Sequence, residues 1–226
     1  MEKNKIKILS FDLDDTLYDE RDFIKSGFST VAAHMQKSHG ADAERFCQGL
    51  QDILIKYGRG KIFDRILQEY NMYSPELVKE LVDVYRSHAP TLSLREGAGS
   101  FLEYIKKNYK LALITDGIAS VQKNKVRALG IGKFFDLLVY TDELGVSKPD
   151  VKVFERVMSF FSAPPDQALY VGDNPHKDFI GAKKIGMSTA RIMRGVYKDV
   201  VLGEEYEADF RVRNLVELQD MLEEKT

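Results

Sequence analysis

The sequence predicts an α/β fold in which a parallel sheet carries helices on both faces and a four-helix subdomain is inserted after the first strand. Three observations lead there. Short β-rich runs alternate with helix-like stretches through the second half of the chain, the pattern of strands joined by covering helices. Several of those stretches end on turn signals such as Gly130 and Gly186. The long span between the first two runs shows apolar residues at helical spacing and no convincing strand.

Taken in order, Ile6 to Phe11 is the first strand. The inserted span then runs from Tyr18 to Arg95. Phe23, Ile24, Phe28, Val31, Ala32 and Met35 form one apolar stripe before Gly40. Phe46, Leu50, Ile53, Leu54 and Tyr57 form a second before Gly58, and Ile62, Phe63, Ile66, Leu67 and Tyr70 a third. A fourth helix opens at Ser74-Pro75, an N-cap followed by proline at the first position, and carries Leu77, Val78, Leu81, Val82 and Tyr85. A crossover between parallel strands needs only about a dozen residues, so this span reads as a subdomain. The expected division is a catalytic core of residues 1–17 and 96–226 and a helical cap of residues 18–95.

Beyond the insertion, Leu111 to Ile114, Leu137 to Tyr140, Ala168 to Val171 and Thr189 to Met193 read as strands. Phe101 to Lys107, Ile118 to Leu129, Val151 to Phe161 and Phe179 to Ile185 read as the helices between them. A last unit makes Asp209 to Val212 extended, Asn214 an N-cap, and Leu215, Leu218 and Leu222 one helical face. The core so built is Rossmann-like. There is no internal repeat.

Composition narrows the function classes. At 226 residues with 44% hydrophobic content, the chain can bury a sizeable core. Its 33 basic and 35 acidic residues give a net charge of −2 and offer no basic face for nucleic acid or membrane lipid. Small molecules are the expected partners, and nothing in the sequence fixes an oligomeric state. Met1 to Lys5 is short and charged, unlike a secretory signal, and no apolar run approaches the roughly 20 residues that span a bilayer. Cys47, the only cysteine, permits no internal disulfide and reads as a packed thiol, so a reducing, cytoplasmic location is expected.

The chemistry lies at strand ends. Asp12 and Asp14 follow the first strand, Thr115 and Asp116 the second, Lys148 the third and Asp173 the fourth. Ligands of open parallel sheets bind outside the carboxyl ends of the strands, so these residues should converge on one crevice. Asp12, Asp14, Asp173 and Asp178 would then crowd together. Carboxylates a few ångströms apart repel by about 1 kcal/mol in water and about 4 kcal/mol at an effective dielectric of roughly 20. A cation is required, and oxygen ligands without a His or Cys set suit Mg²⁺. His176 stands nearby without a second His to join it.

Such a crevice suits hydrolysis of a small phosphomonoester in two displacements. Asp12, ionised, can attack phosphorus once Mg²⁺ and Lys148 offset the charge repulsion. Asp14 is placed to protonate the leaving oxygen and then to take a proton from water. Thr115 can bond a phosphoryl oxygen, and the backbone N–H groups of Asp116 and Gly117 lead into a helix N-terminus that favours an anion.

Asp12-Leu13-Asp14-Asp15-Thr16, Ile114-Thr115-Asp116-Gly117, Ser147-Lys148-Pro149 and Gly172-Asp173-Asn174-Pro175-His176-Lys177-Asp178 resemble, in order and spacing, the four motifs of the haloacid dehalogenase superfamily. The resemblance covers the whole chain, because one subgroup carries a helical cap after the first motif. It implies a phosphatase with Asp12 as nucleophile, Asp14 as acid and base, Thr115 and Lys148 as phosphate binders, and Asp12, the Asp14 carbonyl and Asp173 as Mg²⁺ ligands supported by Asp178. The cap would close over the site, select the substrate and gate water; a sugar phosphate or nucleoside monophosphate is expected. Within the phosphatases the sequence resembles the acylneuraminate-9-phosphatase-like and nucleotidase-like branch. Asp15 stands where the family often has Gly. Asp14 argues against carbon–halogen chemistry, since the founding dehalogenases lack it. Relatives that cleave phosphonates use a cap lysine, for which Lys25, Lys56 and Lys61 are the candidates.

Plainer readings accompany these. Asp178 directly precedes a helix and is equally an N-cap. Thr16 reads as pinning its turn through a backbone bond, and Asp116 as turn chemistry. Arg59, Lys61 and Arg65 read as a solvated basic face. A phospho-accepting receiver domain shares the acidic cluster, Thr and Lys but lacks the helical insertion. A silent binding protein would not turn over, and a phosphotransferase or mutase would pass the same aspartyl phosphate to a sugar hydroxyl in preference to water.

Overall fold

The computed structural model describes residues 6–224, so Met1 to Lys5 lies outside the described residues. In chain order the elements are β1 (Ile8–Phe11), α1 (Glu20–His39), α2 (Ala43–Tyr57), α3 (Ile62–Glu69), α4 (Pro75–Ser87), α5 (Ala98–Ile105), β2 (Lys110–Thr115), α6 (Ala119–Leu129), β3 (Leu137–Tyr140), α7 (Thr141–Leu144), α8 (Val151–Phe161), β4 (Ala168–Gly172), α9 (Ile180–Lys184), β5 (Ser188–Ile192), β6 (Phe210–Val212) and α10 (Leu215–Glu224). The strands form one sheet in the order β3-β2-β1-β4-β5-β6, and every pairing is parallel. The chain moves outward from β1 to β3, then returns to lay β4 on the other side of β1. That reversal opens a crevice at the carboxyl ends of β1 and β4.

Alternation along the strands builds two core layers. Ile8, Ala112, Ile114, Val139 and Tyr170 meet Val153, Phe154 and Val157 of α8 on one face. On the other, the Phe11 ring packs edge-on against Phe101 at 6.0 Å and lies 6.4 Å from Phe135. Strands buried on both faces need near-continuous apolar runs, which is why β1, β2 and β4 were legible as such. Asn214 caps α10 by accepting from the Glu217 N–H at 2.9 Å, and Leu215, Leu218 and Leu222 are buried.

The chain divides into two compact units: one runs to Glu20 and resumes at Leu92, the other is Arg21–Thr91. From the sequence, the inserted unit is expected to run from Tyr18 to Arg95. The difference lies in backbone pairing, since Tyr18 bridges Leu94 antiparallel and the Arg95 N–H donates to the Leu17 carbonyl at 3.0 Å. Those bonds keep both connecting segments with the sheet.

The second unit has its own core. Phe28, Val31 and Met35 of α1 pack with Phe46, Leu50 and Ile53 of α2, Phe63, Ile66 and Leu67 of α3, and Leu77 and Leu81 of α4. Asp42 caps α2 through the Arg45 N–H at 2.8 Å, and Ser74 caps α4 through the Leu77 N–H at 3.1 Å. Cys47 packs half-buried against this core. Lys25, Lys56 and Lys61 are exposed, whereas a Schiff-base lysine sits in a desolvated pocket or beside another cation. Arg65 lies over the Tyr57 ring at 4.1 Å. Among the described residues no helix is long and apolar enough to cross a membrane.

Candidate active site

Asp12 sits one residue beyond β1, held by its N–H to the Val171 carbonyl of β4 at 2.9 Å. Its carboxylate is buried. Oδ1 accepts from the Lys148 ammonium at 2.5 Å and Oδ2 from the Thr16 hydroxyl at 3.2 Å. Thr16 therefore braces the Asp12 side chain, where a backbone bond was expected. Lys148 is wholly buried and also donates to Asp178 Oδ1 at 2.7 Å and to the Tyr170 hydroxyl at 2.9 Å.

Asp178 is not an N-cap. The following helix starts at Ile180 with Phe179 before it, and Asp178 Oδ2 instead accepts from the Asn174 N–H at 2.9 Å. This closes the loop after β4, and Gly172 is required there because a Cβ would collide with the Asp178 carboxylate. Asp12, Asp173 and Asp178 place one carboxylate oxygen each within 4.8 Å of one another. His176 stands outside that group, its ring 5.9 Å from Tyr197.

Asp12 and Asp178 share the buried Lys148 ammonium and Asp173 stands beside them, so the trio carries more negative than positive charge. Burial, with Asp178 adding and Lys148 opposing, pushes the Asp12 carboxyl up to about 6. Burial and the charges of Asp12 and Asp178 push Asp173 to about 9. Although burial disfavours its charge, Asp12 and Asp178 hold Lys148 protonated well above the usual lysine range. Asp173 Oδ2 is moreover buried with no hydrogen-bond partner among the described residues. An all-oxygen set with an orphaned acceptor fits a hard divalent cation such as Mg²⁺.

Thr115 ends β2 with its hydroxyl buried and, among the described residues, unpartnered. The Asp116 carboxylate is fully engaged: Oδ1 accepts from the Thr141 hydroxyl at 3.0 Å and the Lys148 N–H at 3.1 Å, Oδ2 from Lys177 at 2.9 Å. Burial raises its pKa, but Lys148 and Lys177 outweigh burial and the net shift is downward. Its side chain anchors the loop that carries Lys148.

Asp14 is surrounded by donors that sequence reasoning missed. Oδ1 accepts from the Tyr18 hydroxyl and from Lys125 at 2.7 Å, and Oδ2 from Gln122 at 3.3 Å. Burial raises the Asp14 pKa, but Lys125 and Tyr18 overcome it and hold the carboxyl below its ordinary value. The signal was available: Gln122 shares a helical face with Val126 and Leu129, which puts a polar side chain on the buried side of α6. Asp15 adopts φ 59°, a left-handed conformation in which Asp is tolerated. Its carboxylate accepts from the Glu20 N–H at 3.1 Å and Arg95 at 3.3 Å, so local bonds replace the freedom of a glycine.

The chain is similar to known proteins over nearly its whole length. It is 31% identical over 227 residues to glyceraldehyde 3-phosphate phosphatase of Pyrococcus furiosus, covering 97% of this chain and 94% of that protein. To the protein of the same name from Methanocaldococcus jannaschii it is 32% identical, with 96% and 97% covered. The crystal structure of a HAD phosphatase from Thermococcus onnurineus shares the fold, with a TM-score of 0.64 at 24% identity over 96% of this chain and 98% of that one. Residues 9–192 match the haloacid dehalogenase-like hydrolase family, and with these relatives the chain belongs to that family, on its phosphatase side.

Proposed function

We propose that the protein hydrolyses a small phosphomonoester, a sugar phosphate or nucleoside monophosphate, through an aspartyl phosphate on Asp12 in a Mg²⁺-dependent reaction. The observation that carries this is the Asp12 carboxylate, buried and oriented by Lys148 and Thr16 at the switch point of the sheet. Asp12, Asp173, Asp178 and the backbone carbonyl of Asp14 would hold Mg²⁺, which when bound neutralises negative charge on the acids and the phosphoryl group.

Asp12 attacks phosphorus as the bond to the leaving oxygen breaks, and Asp14, which takes up a proton when the negative charge of the bound phosphate raises its pKa, gives that proton to the leaving oxygen. A water then loses its proton to Asp14, bonds to phosphorus and releases phosphate, restoring the Asp12 carboxylate. The Thr115 hydroxyl and the Lys148 ammonium bind phosphoryl oxygens. Asp116 contributes its backbone N–H to the phosphate and its carboxylate to the placement of Lys148. Residues 21–91 serve as the cap that selects the substrate, and the cytoplasm is the compartment consistent with a lone cysteine.

The test is phosphate release by the purified protein from p-nitrophenyl phosphate and a panel of sugar phosphates and nucleotides. Glyceraldehyde 3-phosphate heads the panel because two relatives that match 97% and 96% of this chain are glyceraldehyde 3-phosphate phosphatases. Multiple turnovers that need Mg²⁺ and disappear in Asp12→Asn support the reading. A wild type that releases no phosphate from any member, with Mg²⁺ present, overturns it.

A further inference from the structure

Lys125 and Gln122 lie three residues apart on α6, both almost fully buried. Their side chains converge on Asp14, with the Tyr18 hydroxyl completing the set. Burying an ammonium and an amide is costly, and a buried ion pair is often no more stabilising than apolar residues of the same volume. Stability alone does not account for this cage.

The bonds are unequal. Asp14 Oδ1 takes two donors, Tyr18 and Lys125, whereas Oδ2 takes Gln122 at 3.3 Å. Rotation of the carboxyl is thereby fixed, and Oδ2 keeps the capacity to exchange a proton. Gln122 also donates to the Asp116 carbonyl at 2.6 Å, which ties the cage to the turn behind Thr115. Gly117, at φ 110°, leaves that route open, since a Cβ there would lie 2.9 Å from the Gln122 amide nitrogen.

Resting on the phosphatase reading above, we propose that Lys125, with Gln122 and Tyr18, is a positioning residue that aims Oδ2 of Asp14 at the leaving-group oxygen. None of the three touches the substrate in this scheme; they act through Asp14. The consequence depends on the leaving group. An alkyl phosphate ester must receive the Asp14 proton as its bond to phosphorus breaks, whereas p-nitrophenolate departs as the anion.

The experiment compares kcat/KM for glycerol 3-phosphate and p-nitrophenyl phosphate in the wild type, Lys125→Met, Gln122→Met and Tyr18→Phe. General acid catalysis is worth about 10²–10⁴-fold, so Lys125→Met should lose about 100-fold or more on the alkyl ester and only a few-fold on the aryl ester. Gln122→Met and Tyr18→Phe should show the same bias at smaller size. Activity on the aryl ester reports that each variant is folded, and the two milder variants carry the comparison if Lys125→Met does not fold. Equal losses on both esters, or none on either, overturn the inference and leave the phosphatase reading intact. A wild type inactive on both esters removes that reading, and this inference with it.

Discussion

The ammonium of Lys148 lies 2.5 Å from Asp12 Oδ1, and both groups are buried. Lys148 thus bridges Asp12 and Asp178 from one buried point. Lys148→Met should reduce phosphate release by about 10²-fold or more, as for loss of a preorganised donor. Lys148→Arg should not rescue it, because a planar guanidinium cannot serve Asp12, Asp178 and Tyr170 from one point. Steady-state rates at saturating Mg²⁺ check both statements.

Asp173 gives the metal-free protein a pH signature. Its pKa rises on folding from 3.8 to about 9, so between those values the folded state binds more protons than the unfolded state. Stability of the metal-free protein should therefore fall as pH rises through this window. Mg²⁺ competes with the same proton, so its stabilising effect should grow with pH. Thermal melts at pH 6 to about 8.5, with chelator or with Mg²⁺, should show the two curves diverging upward in pH. Parallel curves would remove Asp173 from the metal site.

Much of this architecture was legible because the signals are local. The apolar runs of β1, β2 and β4, the Ser74-Pro75 start of α4 and the Asn214 cap each carry their cause within a few residues. The positions of Asp12, Thr115, Lys148 and Asp173 followed from strand ends alone. What escaped was set by contacts distant in sequence. Lys125 reaches Asp14 across 111 positions and Lys177 reaches Asp116 across 61. The short α7 has no side-chain cap to announce it, and α5 starts behind Gly97 rather than a Ser, Thr or Asp. For Asp178, proximity to a helix suggested a cap, whereas the loop after β4 uses its carboxylate to bond Asn174 and Lys148.

Asp116 illustrates how a motif residue can act at one remove. Its Oδ1 accepts the Lys148 N–H while Oδ2 pairs with Lys177. Asp116→Ala should leave that loop unanchored and lower kcat by roughly 10²-fold, the scale expected of a misplacement of about 1 Å. Asp116→Asn, which keeps an acceptor for the Lys148 N–H, should retain more activity than Ala. If the two variants were equally impaired, charge rather than anchoring would be the cause.

The unpartnered Thr115 hydroxyl separates function from stability. A buried polar group without a partner costs about 1–3 kcal/mol, a penalty that Thr115→Val removes at nearly constant shape. The variant should melt no lower than the wild type, and higher in the absence of phosphate. Its kcat/KM should fall about tenfold or more through loss of a phosphate hydrogen bond. Melting curves and kinetics on one preparation test the opposition directly.

Arg191 on β5 bonds the backbone of Asp173, one of the three clustered acids. It is fully buried, pairs with both oxygens of Glu207 at 3.0 Å and donates Nε to the Asp173 carbonyl at 3.3 Å. Glu207 is bound in turn by Arg211 and the Leu202 N–H. Removing one partner of a buried pair typically costs about 3–5 kcal/mol; with Arg211 still beside Glu207, Arg191→Met should lie near about 3 kcal/mol. Urea denaturation should show a lower midpoint with an unchanged slope. The same variant should weaken Mg²⁺ binding by about 10–100-fold, the usual effect of losing support behind a ligand. Glu207→Gln should lower stability but spare more of the metal affinity, because Arg191 Nε still reaches Asp173. Calorimetric titration of both variants with Mg²⁺ distinguishes the cases, and equal affinities would confine Arg191 to holding the fold.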